Sequence, residues 1–154
     1  MTFNFDMDGT FVDLYGVSNW LDYLDNEDTT PYEVAKPFFS MSLFARYLNR
    51  LQKQGHEINI VSWCSKNGST DFNQRVVEAK KKWLKQHLPS VHFDNVYIVP
   101  YGTPKHQVVK SGGFLFDDEF NNCRGWNNCY GSLSACYILI PQYVLYCLRE
   151  ELTK

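Results

Sequence analysis

One short stretch constrains this chain more than any other: Phe3-Asn4-Phe5-Asp6-Met7-Asp8-Gly9-Thr10-Phe11. Phe3 and Phe5 alternate with polar neighbours, which is the two-residue period of a strand. The strand then ends abruptly in two aspartates two residues apart. Side chains at that spacing leave a strand on the same face if its geometry persists. Gly9 lets the chain turn away through backbone angles closed to most residues, and it adds no bulk to the space the carboxylates face. Two carboxylates this close repel, so a cation is expected between them, or one of them keeps a proton. A surface turn uses the same residue types. An EF-hand calcium loop also spaces acidic ligands by two, but with Asp6 and Asp8 as its third and fifth positions the bidentate Glu would fall on Tyr15.

The remainder of the chain decides between these readings. At 154 residues, a single domain over 1–154 with a real core is expected. Aromatics make up 16% of it, enough to line a pocket as well as a core. A net charge of −2 gives no general attraction to nucleic acid or to an anionic membrane. No apolar run approaches the ~20 residues of a membrane span. No basic region followed by an apolar stretch opens the chain, so no secretion signal is expected. Five cysteines, without C-x-x-C spacing, read as reduced thiols in a cytoplasmic protein.

After the opening strand, residues 14–40 are acidic, proline-containing and rich in aromatics, including Trp20, Tyr32, Phe38 and Phe39. They read as a loop-rich insertion with one or two short helices. Met41 to Gln54 has helical spacing at Leu43, Phe44, Tyr47, Leu48 and Leu51, with Gly55 as its stop. His56 to Val61 is a strand leading to Ser62-Trp63-Cys64. A helix over Asp71 to His87 is stopped by Pro89, and Asn95 to Val99 is the third strand. The turn Tyr101-Gly102-Thr103-Pro104-Lys105 follows. Gly113 to Phe116 is the fourth strand, running into Asp117-Asp118. Asn121 to Ser134 reads as loop, with a short helix at most. Cys136 to Ile140 is a fifth strand and Gln142 to Leu152 a closing helix.

Strands alternating with helices predict an α/β fold around a parallel sheet of about five strands. Ligands of such sheets bind beyond the carboxyl ends of the strands. Asp6 with Asp8, Ser62, Lys105, and Asp117 with Asp118 each fall at or just after a different strand end. Scattered surface turns would rarely converge in this way.

In these residues the chain resembles the haloacid dehalogenase superfamily of phosphatases. Its four motifs occur in order as Asp6-Met7-Asp8-Gly9-Thr10, Ser62, Lys105 and Asp117-Asp118. The short insertion, the Ser62-Trp63 pair and the turn before Lys105 look most like the small 5'(3')-deoxyribonucleotidase-like branch. The resemblance implies a Rossmann-like three-layer sandwich with residues 14–40 as a small cap. It also implies a magnesium-dependent phosphomonoester hydrolase with Asp6 as nucleophile and Asp8 as general acid and base. Ser62 and Lys105 would bind and stabilise the phosphoryl group, with the backbone around Asp8, Gly9, Thr10 and Trp63 completing the cradle. Magnesium, a hard cation that suits few carboxylates plus water and substrate oxygens, would be held by Asp6, the carbonyl of Asp8, and Asp118, with Asp117 in support. The partner expected is a small phosphate monoester, a nucleoside monophosphate first, with aromatics of the insertion stacking the base. A phosphate at a nucleic-acid end is the enzymatic alternative, and a non-catalytic phosphate-binding module the other.

Other candidates read as structural. Lys80, Lys81, Lys82 and Lys85 look like a solvated helix face with Trp83 turned inward. His106 is a bystander beside Lys105, Cys64 a packed thiol without an evident base, and the remaining cysteines lack zinc spacing.

Overall fold

The structure, a computed structural model, describes residues 1–131, 136–138 and 141–154. Its centre is a five-stranded parallel sheet in the order β5-β4-β1-β6-β7, made of β1 (Thr2–Phe5), β4 (Glu57–Trp63), β5 (Asn95–Val99), β6 (Phe114–Asp117) and β7 (Cys136–Ile138). Parallel sheets bury both faces, and the alternation along each strand shows how this one does so. Phe3, Phe5, Ile58, Ile60 and Phe116 face one layer, formed by α3 (Met41–Lys53), α4 (Thr70–His87) and α7 (Gln142–Glu151). Val61 and Leu115 face the other, with Val109 after α5 (Lys105–Val108) and Trp126 of α6 (Phe120–Tyr130). Three layers result, as expected.

One register is pinned by polar groups. Asn4, Asn59 and Asn95 stand side by side on three adjacent strands. Asn95 donates to Asn59 and Asn59 donates to Asn4, each at 3.0 Å, and Asn4 donates to the carbonyls of Gly112 and Phe114. A slip of one residue would strand these amides against apolar neighbours, so the ladder fixes which residues reach the strand ends.

The two long helices form within a residue of where the sequence placed them. Ser40 caps α3 by accepting from Leu43 N, and Phe44, Leu48 and Leu51 line its buried face. Ser69 caps α4 by accepting from Phe72 N, while Lys85 and His87 sit favourably at its carboxyl end. The insertion contains α1 (Trp20–Asp25) and α2 (Thr30–Val34), flanked by a two-residue antiparallel pair of β2 (Val12–Asp13) with β3 (Lys36–Pro37). Leu14 and Tyr32 pack it onto Phe72, Val76 and Ala79 of α4. Glu27 latches it further: its carboxylate accepts from the amide and hydroxyl of Ser69, and its carbonyl accepts from Arg75.

Two expectations need correction. Residues 120–130 are helix rather than loop, because Cys123 and Trp126 bury one side of α6. Cys123 is moreover disulfide-bonded to Cys136, joining α6 to β7, so the five cysteines are not all reduced thiols and that basis for a cytoplasmic setting is lost. Of the fifth strand, Leu139 and Ile140 lie outside the described residues, as do positions 132–134 of the anticipated loop. Among the described residues no helix is long and apolar enough to cross a membrane.

Candidate active site

The aspartate loop is built around one carbonyl. The backbone oxygen of Met7 accepts from Thr10, Phe11 and Val12, and Gly9 N donates to Val12 O. The Met7 side chain is buried in the core, so Asp6 and Asp8 emerge on either side of it. Gly9 has φ +78°, and a Cβ there would stand 2.1 Å from Asp118 Oδ2. Glycine is thus required twice, for the backbone angle and for the approach of the β6 end.

The strand ends converge as the sequence indicated. Lys105, 1% exposed, bridges Asp6 Oδ1 at 2.9 Å and Asp117 Oδ2 at 2.6 Å. Asp117 is held further by Glu119 N at 2.8 Å and by the Asn122 amide at 3.1 Å. Both its oxygens are therefore engaged. Asp118 is half-buried and lines the cleft instead. Ligand atoms of Asp6, Asp117 and Asp118 lie within 4.8 Å of one another.

The aspartates do not share one face, because β1 ends at Phe5 before Asp8 is reached. Asp6 meets Lys105 from the α5 layer, and Asp8 meets a second lysine from the α4 layer. That second lysine is Lys80, 1% exposed, whose Nζ lies 2.6 Å from Asp8 Oδ2, 3.0 Å from Ser62 Oγ and 2.7 Å from the Trp63 carbonyl. The reading of Lys80 as part of a solvated face is corrected; Lys81, Lys82 and Lys85 are exposed as expected, and Trp83 is buried. A signal existed in the sequence: Phe72, Val76, Lys80 and Trp83 occupy one helical stripe, and a lysine there must find acceptors inside.

Electrostatics follow from this packing. Burial pushes Asp8 up, opposed by Lys80 and reinforced by Asp6. Asp118 is raised to about 7, first by burial and then by Asp6 and Asp117. Burial would lower Lys105, but Asp6 and Asp117 outweigh it and its pKa is raised. Among the described residues, the carboxyl groups of Asp6, Asp8, Asp117 and Asp118 gather around the two buried ammonium groups of Lys80 and Lys105, and the repulsion left between the carboxylates is what a divalent cation would relieve. A hard cation suits this all-oxygen set.

The cleft beside these groups has a volume of about 290 Å³. Asp6, Asp8, Ser62, Trp63 and Asp118 line it, while Lys105, Gly9 and Thr10 are buried and do not line it. Thr10 is buried, and its amide, like that of Gly9, is used within the loop itself. Trp63 contributes its ring: Nε1 donates to Thr103 O at 2.8 Å and the ring packs on Tyr101, centroids 4.9 Å apart. The insertion offers Tyr15 and Trp20 to the same cleft, edge to face at 5.1 Å. Tyr32 also lines the cleft, with Lys80 Nζ 5.3 Å from its ring centre, whereas Phe39 packs into the core on Phe44. Cys64 is buried, with burial raising its thiol pKa, and His106 packs near Gly125.

Two solved structures share this fold along nearly their whole length. The D,D-heptose 1,7-bisphosphate phosphatase from Burkholderia thailandensis aligns with a TM-score of 0.59 at 12% identity, covering 99% of this chain and 99% of its own. The D,D-heptose 1,7-bisphosphate phosphatase from B. bronchiseptica, complexed with magnesium and phosphate, aligns with a TM-score of 0.54 at 12% identity, covering 97% and 98%. At such identity the likeness is one of fold. No protein-family model matches the chain, and no curated protein does. The fold implied by the resemblance is thus that of solved phosphatases, and neither of these two is a nucleotidase.

Proposed function

We propose that the chain is a magnesium-dependent phosphomonoester hydrolase of the haloacid dehalogenase type, with 1–154 as one catalytic domain and 14–40 as its cap. The observation that carries this reading is the bridge from Lys105 to Asp6 and Asp117, set at the strand ends beside Asp8, Ser62 and Asp118. Lys105 holds Asp6 by Oδ1, which leaves Oδ2 to attack phosphorus and form a phospho-aspartate. Asp8, whose pKa is raised, delivers a proton to the leaving oxygen and later takes one from water. Ser62 donates its hydroxyl to a phosphoryl oxygen, the ammonium of Lys105 stabilises the charge that develops, and Trp63 walls the site.

The donor set fits magnesium, which the B. bronchiseptica neighbour holds together with phosphate. Asp6, the Asp8 carbonyl and Asp118 would hold it, with Asp117 anchored behind by Lys105, Glu119 and Asn122. When bound it supplies positive charge to the nucleophile and the phosphoryl oxygens. Gly9 and Thr10 shape the loop that presents these groups.

A nucleoside monophosphate suits the cleft best, because two aromatic pairs line it: Tyr15 with Trp20, and Trp63 with Tyr101. Phosphate release is measured with and without magnesium over nucleoside monophosphates, sugar phosphates including a heptose bisphosphate, and oligonucleotides phosphorylated at either end. Magnesium-dependent release, fastest from nucleoside monophosphates, is the expected result. Faster cleavage of sugar phosphates or of oligonucleotide ends would refute the substrate, and no release together with no vanadate binding would refute the enzyme.

A further inference from the structure

Lys80 sits in the middle of α4 on a stripe whose other members are Phe72, Val76, Ala79 and Trp83. An ammonium in such a place is costly unless every proton finds an acceptor. Here there are three protons and three acceptors: Asp8 Oδ2, Ser62 Oγ and the Trp63 carbonyl, at 2.6, 3.0 and 2.7 Å. Tyr32 of the insertion covers the same nitrogen with its ring. One atom therefore ties together the aspartate loop, the end of β4 and the insertion.

Each contact constrains what its partner can do. A hydroxyl has one proton to give. Because Ser62 Oγ accepts from Lys80, its own proton is left for an acceptor in the cleft. Asp8 is tied by Oδ2, so Oδ1 is the oxygen left to carry a proton to a leaving group. The Trp63 carbonyl closes β4 and holds the strand end at which Ser62 stands.

We infer that Lys80 is a positioning residue that fixes the working oxygen of Asp8 and turns the Ser62 hydroxyl toward the phosphoryl site. This rests on the phosphatase reading above. Lys105 and Lys80 then divide the labour by layer, the first holding the nucleophile and the second the proton donor.

The test compares wild type with Lys80→Met, which keeps the length and apolar body of the side chain. It uses 4-nitrophenyl phosphate, whose leaving group needs no proton, and an alkyl phosphate, whose leaving group does. The quantity read is kcat/KM, which reports transfer to Asp6 and not the later hydrolysis. Lys80→Met is expected to lose about 100-fold or more on the alkyl ester and about tenfold or less on the aryl ester, the gap being the share of proton delivery. KM is expected to stay within about threefold, since Lys80 holds catalytic groups and not substrate. Equal losses on the two esters would overturn the inference, because a role in packing alone carries no dependence on the leaving group. Should Lys80→Met fail to fold, Lys80→Gln is read the same way: its shorter amide cannot span the three acceptors, and the same gap is expected. Wild type that hydrolyses neither ester nor any phosphate of the panel above, and that binds no vanadate, would instead overturn the phosphatase reading on which this rests.

Discussion

Asp118→Asn should make the metal-free protein more stable while removing its response to magnesium. Asp118 stands half-buried among Asp6, Asp117 and the cleft, and its pKa is raised from 3.8 to about 7. The folded protein then binds more protons than the unfolded chain between those values, so stability falls as pH rises through that interval and is flat above it. Each unit corresponds to about 1.4 kcal/mol, giving a ceiling of about 4 kcal/mol at pH 8. Water reaches part of the group and screens it, so about 1–3 kcal/mol is expected. A domain of this size moves about 2–4 °C for each kcal/mol, so Asp118→Asn should melt about 5 °C above wild type in EDTA at pH 8. Near pH 4 the two should coincide. With magnesium at about 1,000 times its Kd, wild type gains about 4.1 kcal/mol, more than the variant's lead in EDTA, and the order at pH 8 inverts because the amide has lost a ligand oxygen with its charge. Thermal melts in EDTA and in magnesium at the two pH values read all of this. A variant less stable than wild type in EDTA at pH 8, or one that keeps the full magnesium shift, would refute the reasoning.

Four further substitutions probe the frame. Lys105→Met leaves Asp6 and Asp117 buried without their cation and should cost about 3–5 kcal/mol in urea unfolding; Asp117, raised to about 6 by burial, protonates as pH falls, so the loss should shrink at pH 5. Gly9→Ala must displace Asp118, whereas Gly55→Ala, at φ +85° with open space around it, meets only backbone strain of about 1–2 kcal/mol; melts should show the first losing the magnesium response and the second keeping it. Glu27→Ala frees the insertion from Ser69 and should raise KM several-fold with kcat little changed, with faster proteolysis within residues 14–40 in a limited digest.

The layout of strand ends was legible because parallel strands carry short apolar runs bounded by sharp polar stops. Asn95–Val99 was placed to the residue, and the four motif positions meet as their order implied. What escaped was whatever depended on packing between distant elements. In the run Lys80-Lys81-Lys82 the first lysine has the same local sequence as its neighbours, and only the helical stripe distinguishes it. Asn121, Asn122, Gly125 and Asn127 are weak helix formers, yet Trp126 and Cys123 bury enough to hold α6, and Asn122 is then delivered to Asp117. The pairing of Cys123 with Cys136 has no sequence marker. Trp63 was expected to serve through its backbone; its ring takes part as well, because Thr103 and Tyr101 on the following turn hold it.

The central claim, that Asp6 attacks phosphorus, is tested most directly by quenching the protein during turnover with magnesium and the best substrate of the panel, then reducing with borohydride. An acyl phosphate on Asp6 is reduced to homoserine, and peptide mass spectrometry reads the position. Homoserine at residue 6, absent without substrate, is the expected result. Phosphate released with residue 6 still aspartate, or with the label on Asp8, Asp117 or Asp118, would contradict it.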